Sequence, residues 1–230
     1  MSDFKSCYDR LCEEVAEICR KCERPVESVR ILAVSKTFPV EALQEAYDSG
    51  IRMFGENKIQ ELSGKVEQMP DDVEWHFIGH LQSNKAAKAV ELAHWIHSVD
   101  SLKLLNKLER AAAEQGKCPK ILIEVNSGEE AKSGVSYDEL KALVEAASKC
   151  EHLELKGLMT MAPLCDDPAR WQEAFGRLRA SRDQLQAELQ IDLPELSMGM
   201  TGDFPQAIAE NSTLLRIGSR LFGNRNYAAI

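Results

Sequence analysis

Eight short apolar runs, separated by segments of helical periodicity, constrain the fold of this chain more than any other feature. They occupy residues 30–34, 52–54, 75–78, 95–99, 121–125, 155–159, 195–198 and 214–217. The first, Ile31-Leu32-Ala33-Val34, is too short and too continuously apolar for a surface helix and reads as a strand buried on both faces. Helix-like segments lie between the runs at residues 40–49, 57–68, 83–93, 101–115, 137–149, 168–189 and, briefly, 205–210. Ser101, Ser136 with Glu139 three residues on, and Gly50 and Gly116 supply cap signals. An amphipathic helix precedes the first strand, with Leu11, Val15, Ile18 and Cys22 on one face.

Eight strand-helix alternations with crossovers of this length imply an all-parallel sheet. The expected fold is α/β: a single (β/α)8 TIM-type barrel spanning residues 1–230, with residues 1–24 as an extra N-terminal helix packed on it. A doubly wound open sheet is the alternative, since periodicity alone does not distinguish open from closed strands. At 230 residues the chain has the length of one such barrel, and neither a linker-like stretch nor an internal repeat marks a second domain.

With 28 Lys+Arg against 37 Asp+Glu the net charge is -9, which disfavours nucleic acid and anionic membrane as partners. No run approaches the roughly 18 apolar residues of a spanning helix, and residues 1–10 lack a signal-peptide core, so the expected location is cytoplasmic. Seven scattered cysteines read as free thiols, the Cys19/Cys22 pair lying inside a helix with no second pair to complete a zinc site. His76 with His80, and His94 with His97, have metal-like spacing, but no carboxylate-histidine-cysteine set converges, and no metal is expected. A P-loop, a nucleophile elbow and a dinucleotide fingerprint are all missing.

In such a barrel the site is built at the C-terminal ends of the strands. Lys36 directly continues the first apolar run, where an ammonium is costly unless deprotonated, paired or covalently used. A depressed lysine pKa favours an imine with a carbonyl compound; pairing with Glu56 or Asp100 is the plain alternative. The ends of runs seven and eight, Gly199-Met200-Thr201-Gly202 and Gly218-Ser219, lie where barrels bind phosphate, and the helix after Phe204 would add its N-terminal amides. Arg216, inside the last run, needs an acceptor: a heteroaromatic nitrogen, a phosphate, or a structural partner in Asp100 or Glu124.

Six segments carry a specific signature: Ala33-Val34-Ser35-Lys36-Thr37, Phe54-Gly55-Glu56-Asn57-Lys58-Ile59-Gln60-Glu61, Trp75-His76-Phe77-Ile78-Gly79-His80-Leu81-Gln82-Ser83-Asn84-Lys85, Gly157-Leu158-Met159-Thr160-Met161, Leu196-Ser197-Met198-Gly199-Met200 and Arg216-Ile217-Gly218. Together they resemble the pyridoxal phosphate homeostasis protein family, the YggS/PROSC-like proteins, from about residue 30 to residue 223. The resemblance implies a barrel like the N-terminal domain of alanine racemase, found alone, with pyridoxal 5′-phosphate in imine linkage to Lys36. It implies Asn57 near the ring, Thr201, Gly218 and Ser219 at the phosphate, and Arg216 facing the pyridine nitrogen. The family more often has Ser and an acidic residue after Met-Gly-Met, and Thr after Arg-Ile-Gly. Here Thr201 and Ser219 keep the hydroxyls while the acid moves to Asp203, to which the resemblance assigns no role.

An arginine at the ring nitrogen disfavours pyridinium and weakens carbanion stabilisation. None of Tyr8, Tyr47, Tyr137 and Tyr227 ends a strand to act as a second base. The expectation is therefore a carrier rather than an enzyme: a protein in intracellular pyridoxal phosphate homeostasis that buffers the cofactor or delivers it to apo-enzymes. A racemase or related catalyst using His80 or a lysine is the main alternative. A regulatory module presenting residues 168–189 to a partner is a third. Lys58, Lys85 and Lys132 are candidates for a second docking point, and a small barrel with a charged exterior permits a monomer.

Overall fold

The computed structural model describes residues 3–128 and 133–223. Eight parallel strands, β1 (Arg30–Val34), β2 (Met53–Glu56), β3 (Glu74–Phe77), β4 (Trp95–Val99), β5 (Lys120–Glu124), β6 (Glu154–Met159), β7 (Glu195–Ser197) and β8 (Leu214–Ile217), close in chain order into a barrel. The ring shuts where β1 pairs with β8, with Arg30 opposite Leu214 and Ala33 opposite Ile217. Closure decides against the open sheet.

The intervening helices are α2 (Val40–Asp48), α3 (Ile59–Val66), α4 (Ala86–Leu92), α5 (Leu102–Gln115), α6 (Tyr137–Ala147), α7 (Pro168–Leu189) and α8 (Phe204–Ala209), preceded by α1 (Phe4–Lys21) and followed by α9 (Ser219–Phe222). The cap signals hold at α5, where the Ser101 hydroxyl accepts from Leu104 N–H and Gly116 turns left-handed at φ 62°. At α6 the Ser136 hydroxyl bonds the Glu139 carboxylate at 2.7 Å instead of capping a backbone amide.

Side-chain parity divides the interior in two. Ile121 and Ile123 of β5, and Leu215 and Ile217 of β8, face outward into the large core shared with the helices. Leu122 faces inward, in a separate small cluster with Trp95 and Met159. By the same period of two, Glu124, His97 and Arg216 point into the barrel. Helix α1 buries Leu11, Val15 and Cys19 and seals the seam beside α8 and α9, where Phe4 and Phe38 pack on Phe222 with ring centroids 5.2 and 5.0 Å away and Arg220 bonds Glu14 at 2.7 Å. Among the described residues, no helix is long and apolar enough to cross a membrane, and all seven cysteines are free thiols.

Candidate functional site

Strand β1 ends in the turn Ser35-Lys36-Thr37, with Lys36 half-buried and Thr37 at φ 69°, a left-handed conformation that costs a β-branched residue energy. Contacts from β2 and α3 impose it. The Ser35 hydroxyl donates to Glu56 Oε1 at 2.6 Å, and Lys65 Nζ donates to the same oxygen at 2.6 Å and to the Ser35 carbonyl at 2.9 Å. Thr37 N–H donates to Glu61 Oε2 at 2.7 Å. Glu56 and Lys65 are buried, and burial pushes the Glu56 carboxyl upward against the opposing pull of Lys65 and Ser35. The turn that presents Lys36 is thus clamped from below by an ion pair. Glu56 is engaged through Oε1 by both Ser35 and Lys65.

Asn57 follows β2 directly, and its carbonyl lies where a Cβ on Gly79 would stand, 2.1 Å away. Glycine at the end of β3 is what allows that approach. On the far side of Lys36, the register of β1 with β8 brings Gly218 against the end of β1, a Cβ there falling 3.2 Å from the Val34 carbonyl. Ser219 follows, its hydroxyl 3.2 Å from that of Thr201 beyond β7. The left-handed Gly199, at φ 96°, lets the β7 loop pass close against α8, a Cβ there falling 2.6 Å from that of Ala207. Asp203, to which the sequence assigned no role, accepts from Met200 N–H and fixes this loop. Of the amides at the start of α8, those of Asp203 and Phe204 both donate to the Met200 carbonyl and are committed to the turn.

Arg216 is buried inside the barrel, and its hydrogen-bond partners are neither of the carboxylates, Asp100 and Glu124, that the sequence offered as one alternative. Its Nη1 donates to the Ser197 carbonyl at 2.6 Å and the Ser197 hydroxyl at 2.7 Å, and Nη2 donates to the Thr160 carbonyl at 2.8 Å. These acceptors are neutral. Desolvation lowers the Arg216 pKa to about 10, which leaves the guanidinium charged at neutral pH. Glu124 shares the interior; burial, with repulsion from Asp100, pushes its carboxyl up to about 7. Outside the ring, His80 lies exposed, with Nδ1 3.3 Å from the Ser133 hydroxyl and 3.6 Å from Asp100.

The six residues singled out from sequence, Lys36, Asn57, Thr201, Arg216, Gly218 and Ser219, all lie at or just inside the C-terminal rim. Five side chains within three residues of strand C-terminal ends have a buried polar atom with no hydrogen-bond partner among the described residues: Glu56 Oε2, Asn57 Oδ1, Ser98 Oγ, Glu124 Oε2 and Ser127 Oγ. Stranding these groups costs energy unless a polar ligand meets them, so the rim suits a ligand bearing several donors and acceptors. A phosphorylated pyridine aldehyde fits this donor set, with hydroxyls at one corner, an amine beside them and a guanidinium beneath. Among the described residues no group of three metal-ligating side chains converges. Lys58 is exposed, Lys85 sits at the start of α4, and Lys132 and Tyr227 lie outside the described residues.

Sequence reasoning missed Lys65, His76, His97 and Ser197, and it read Glu124 only as a possible partner for Arg216. A lysine in an amphipathic helix and a serine in a strand carry no functional signal, and the two histidines read only as a failed metal spacing. The one usable sign was inward parity, which places His97, Glu124 and Arg216 in the barrel once closure is assumed.

An eight-stranded barrel with a rim lysine on β1, a hydroxyl pair on the β7 and β8 loops and an interior arginine on β8 belongs to a recognisable class. The model of the alanine racemase N-terminal domain family matches residues 7–226. Within that class the chain belongs to the pyridoxal phosphate homeostasis protein family. The relative of that name from Aquifex aeolicus is 40% identical over 220 residues, covering 95% of this chain and 96% of its own. The one from Schizosaccharomyces pombe is 40% identical over 230 residues, covering 98% and 94%. The structure of PipY from Synechococcus elongatus with PLP bound, 41% identical, superposes with a TM-score of 0.81 and covers 91% of this chain and 100% of that one. Alanine racemase of Clostridium difficile, at 13% identity and a TM-score of 0.75, shares the fold, and the match spans 58% of its length.

Proposed function

We propose that this protein binds pyridoxal 5′-phosphate at the barrel rim, holds it as an imine on Lys36 and serves to buffer the free cofactor and deliver it to apo-enzymes. The carrying observation is the adjacency across the β1–β8 seam: the clamped Lys36 turn stands beside the Thr201–Ser219 hydroxyl pair, with Arg216 beneath. A small aldehyde phosphate spans just such a set. Thr201, Gly218 and Ser219 would hold the phosphate, Asn57 the ring edge and Arg216 the pyridine nitrogen. Homeostasis is the role by which the relatives are named, and PLP is the ligand of the structural neighbour.

The cofactor's chemistry, when bound, is that of an aldehyde whose ring can accept electrons from an attached amino acid. This chain's residues restrain the second property. A charged guanidinium, held on two carbonyls and a hydroxyl, would donate toward the ring nitrogen and keep it unprotonated. Strong catalysis is therefore not expected, and another amine can take the cofactor by imine exchange. The protein acts in the cytoplasm and as a monomer on this reading, the latter open to light scattering.

Borohydride reduction of protein incubated with pyridoxal phosphate, followed by peptide mapping, tests the site: the pyridoxyl label is expected on Lys36, and Lys36→Ala should lose both the label and the imine absorbance. Label elsewhere, or a featureless spectrum, rejects the proposal. Racemisation of L-alanine that disappears with Lys36→Ala would reject the carrier role in favour of an enzyme.

A further inference from the structure

Beneath the rim a continuous polar column crosses the barrel from its C-terminal to its N-terminal end. Arg216 Nη1 meets the Ser197 hydroxyl at 2.7 Å, Ser197 meets His97 Nδ1 at 3.0 Å, His97 Nε2 meets His76 Nδ1 at 2.9 Å, and His76 Nε2 meets Glu74 Oε1 at 2.9 Å. Arg216, Ser197, His97 and His76 are buried; only Glu74, at the bottom edge of β3, reaches solvent. The indole of Trp95 lies flat on His76, with ring centroids 5.3 Å apart and planes 7° apart. Polar groups spanning the inside of a barrel otherwise filled by Trp95, Leu122 and Met159 need a reason, because apolar residues would fill it at lower desolvation cost.

The two ends of the column assign every hydrogen in it. Arg216 can only donate, so Ser197 Oγ accepts from it. Glu74 is held as a carboxylate down to about 2, chiefly by its hydrogen bond to His76, and can only accept. His76 therefore carries its hydrogen on Nε2. Desolvation lowers the pKa of both histidines, which makes them neutral, so His76 Nδ1 is a bare acceptor. His97 must then donate from Nε2 and accept at Nδ1, where the Ser197 hydroxyl is the donor. All four hydrogens point from Arg216 toward Glu74. Charged and titratable groups flank both ends: Arg30, Lys120 and His94 near Glu74 and His76, and Glu124 and Asp203 near Arg216.

We infer that Ser197, His97 and His76 are positioning residues that lock the Arg216 guanidinium in one orientation at the cofactor site, and that Glu74, on the opposite end of the barrel, sets the direction of the lock and the charge sensed at that site. The inference rests on the proposed cofactor reading for its second half alone. Its first half concerns the protein without any ligand.

Nitrogen NMR of histidine-labelled apo-protein, with resonances assigned through His76→Gln and His97→Gln, decides the first half. His76 and His97 are both expected as neutral Nε2–H tautomers that do not titrate across the neutral range, and either one found as the Nδ1–H form or as a cation overturns the lock. For the second half, protein loaded with pyridoxal phosphate is titrated by absorbance. Glu74→Gln keeps an oxygen acceptor for His76 and removes only the charge, on an edge where misfolding is not expected. A carboxylate ~15 Å away through a protein interior of effective dielectric about 20 supports a protonated imine by roughly 0.8 pK unit, so about a sixfold rise in its acid constant is expected. An unmoved midpoint in this variant, with the cofactor still bound, overturns the coupling. Failure of the wild-type protein to take up pyridoxal phosphate would instead reject the reading of the site, and the coupling with it, while the tautomers still decide the lock.

Discussion

The two sides of the β1–β8 seam bury cations in opposite ways. Beside β1, Lys65 is neutralised by Glu56 at 2.6 Å, and this ion pair clamps the backbone of the turn that presents Lys36. Beside β8, Arg216 receives only neutral acceptors and passes its polarity through two histidines to a carboxylate at the far end of the barrel. The first arrangement spends its charge locally and delivers geometry. The second leaves a net positive charge facing the rim, where on the proposed reading it would donate to the lone pair of an unprotonated ring nitrogen. The proposed carrier role would use both: a lysine held in place and an arginine held in one orientation.

Breaking the first side has the largest expected effect. Lys65→Met leaves Glu56 buried without its counter-charge and is expected to cost about 3–5 kcal/mol in urea denaturation, most of it recovered when Glu56→Gln is added. If the single variant is as stable as the wild type, the clamp is not what holds the turn. Next comes the interior acid that belongs to neither pair. Glu124, raised from 4.5 to about 7 by burial, binds a proton more tightly in the folded than in the unfolded chain. Its contribution is therefore fully favourable below 4.5 and is lost as pH rises to about 7. Glu124→Gln should thus stabilise the apo-protein by up to about 3 kcal/mol at about pH 8 and change little at about pH 4. A stability difference that does not vary with pH would show that this carboxyl titrates normally.

Gly79→Ala sharpens the comparison by moving a rim residue without touching either cation. The new methyl would meet the Asn57 carbonyl at 2.1 Å, and a loss of about 2 kcal/mol with weakened cofactor uptake is expected from thermal melts and absorbance titration. The smallest effect belongs to Ser219→Ala, which removes one neutral phosphate donor and should weaken pyridoxal phosphate binding about 3–10-fold without altering the imine spectrum. A change in the spectrum would place Ser219 at the ring and not at the phosphate.

Most of the scaffold was legible in the chain. All eight strands fall on the apolar runs, and α7 occupies residues 168–189 as the periodicity predicts. The second run was read as ending at Phe54, two residues early, because Gly55 and Glu56 look like a loop, whereas pairing with His76 and Phe77 keeps them in β2. The short α9 was missed, having only one buried apolar residue, Leu221, to announce it. Of the site, Lys36 and the two glycine-bearing strand ends were visible because each is a local break in an apolar pattern. Arg216 was visible as a charge in a strand, but its partners were not, and neither was the use of Glu56 by Lys65.

The sequence by itself determined the alternation of strand and helix and the inward or outward parity of strand residues, since these follow from periods of two and 3.6 along the local chain. Only the tertiary structure decided which inward residues meet. Ser197 and His97 stand 100 positions apart and His97 and His76 stand 21 apart, and barrel closure and stagger alone set them at bonding distance. Parity is a property of one strand, whereas a hydrogen bond across the barrel depends on the register of every strand between.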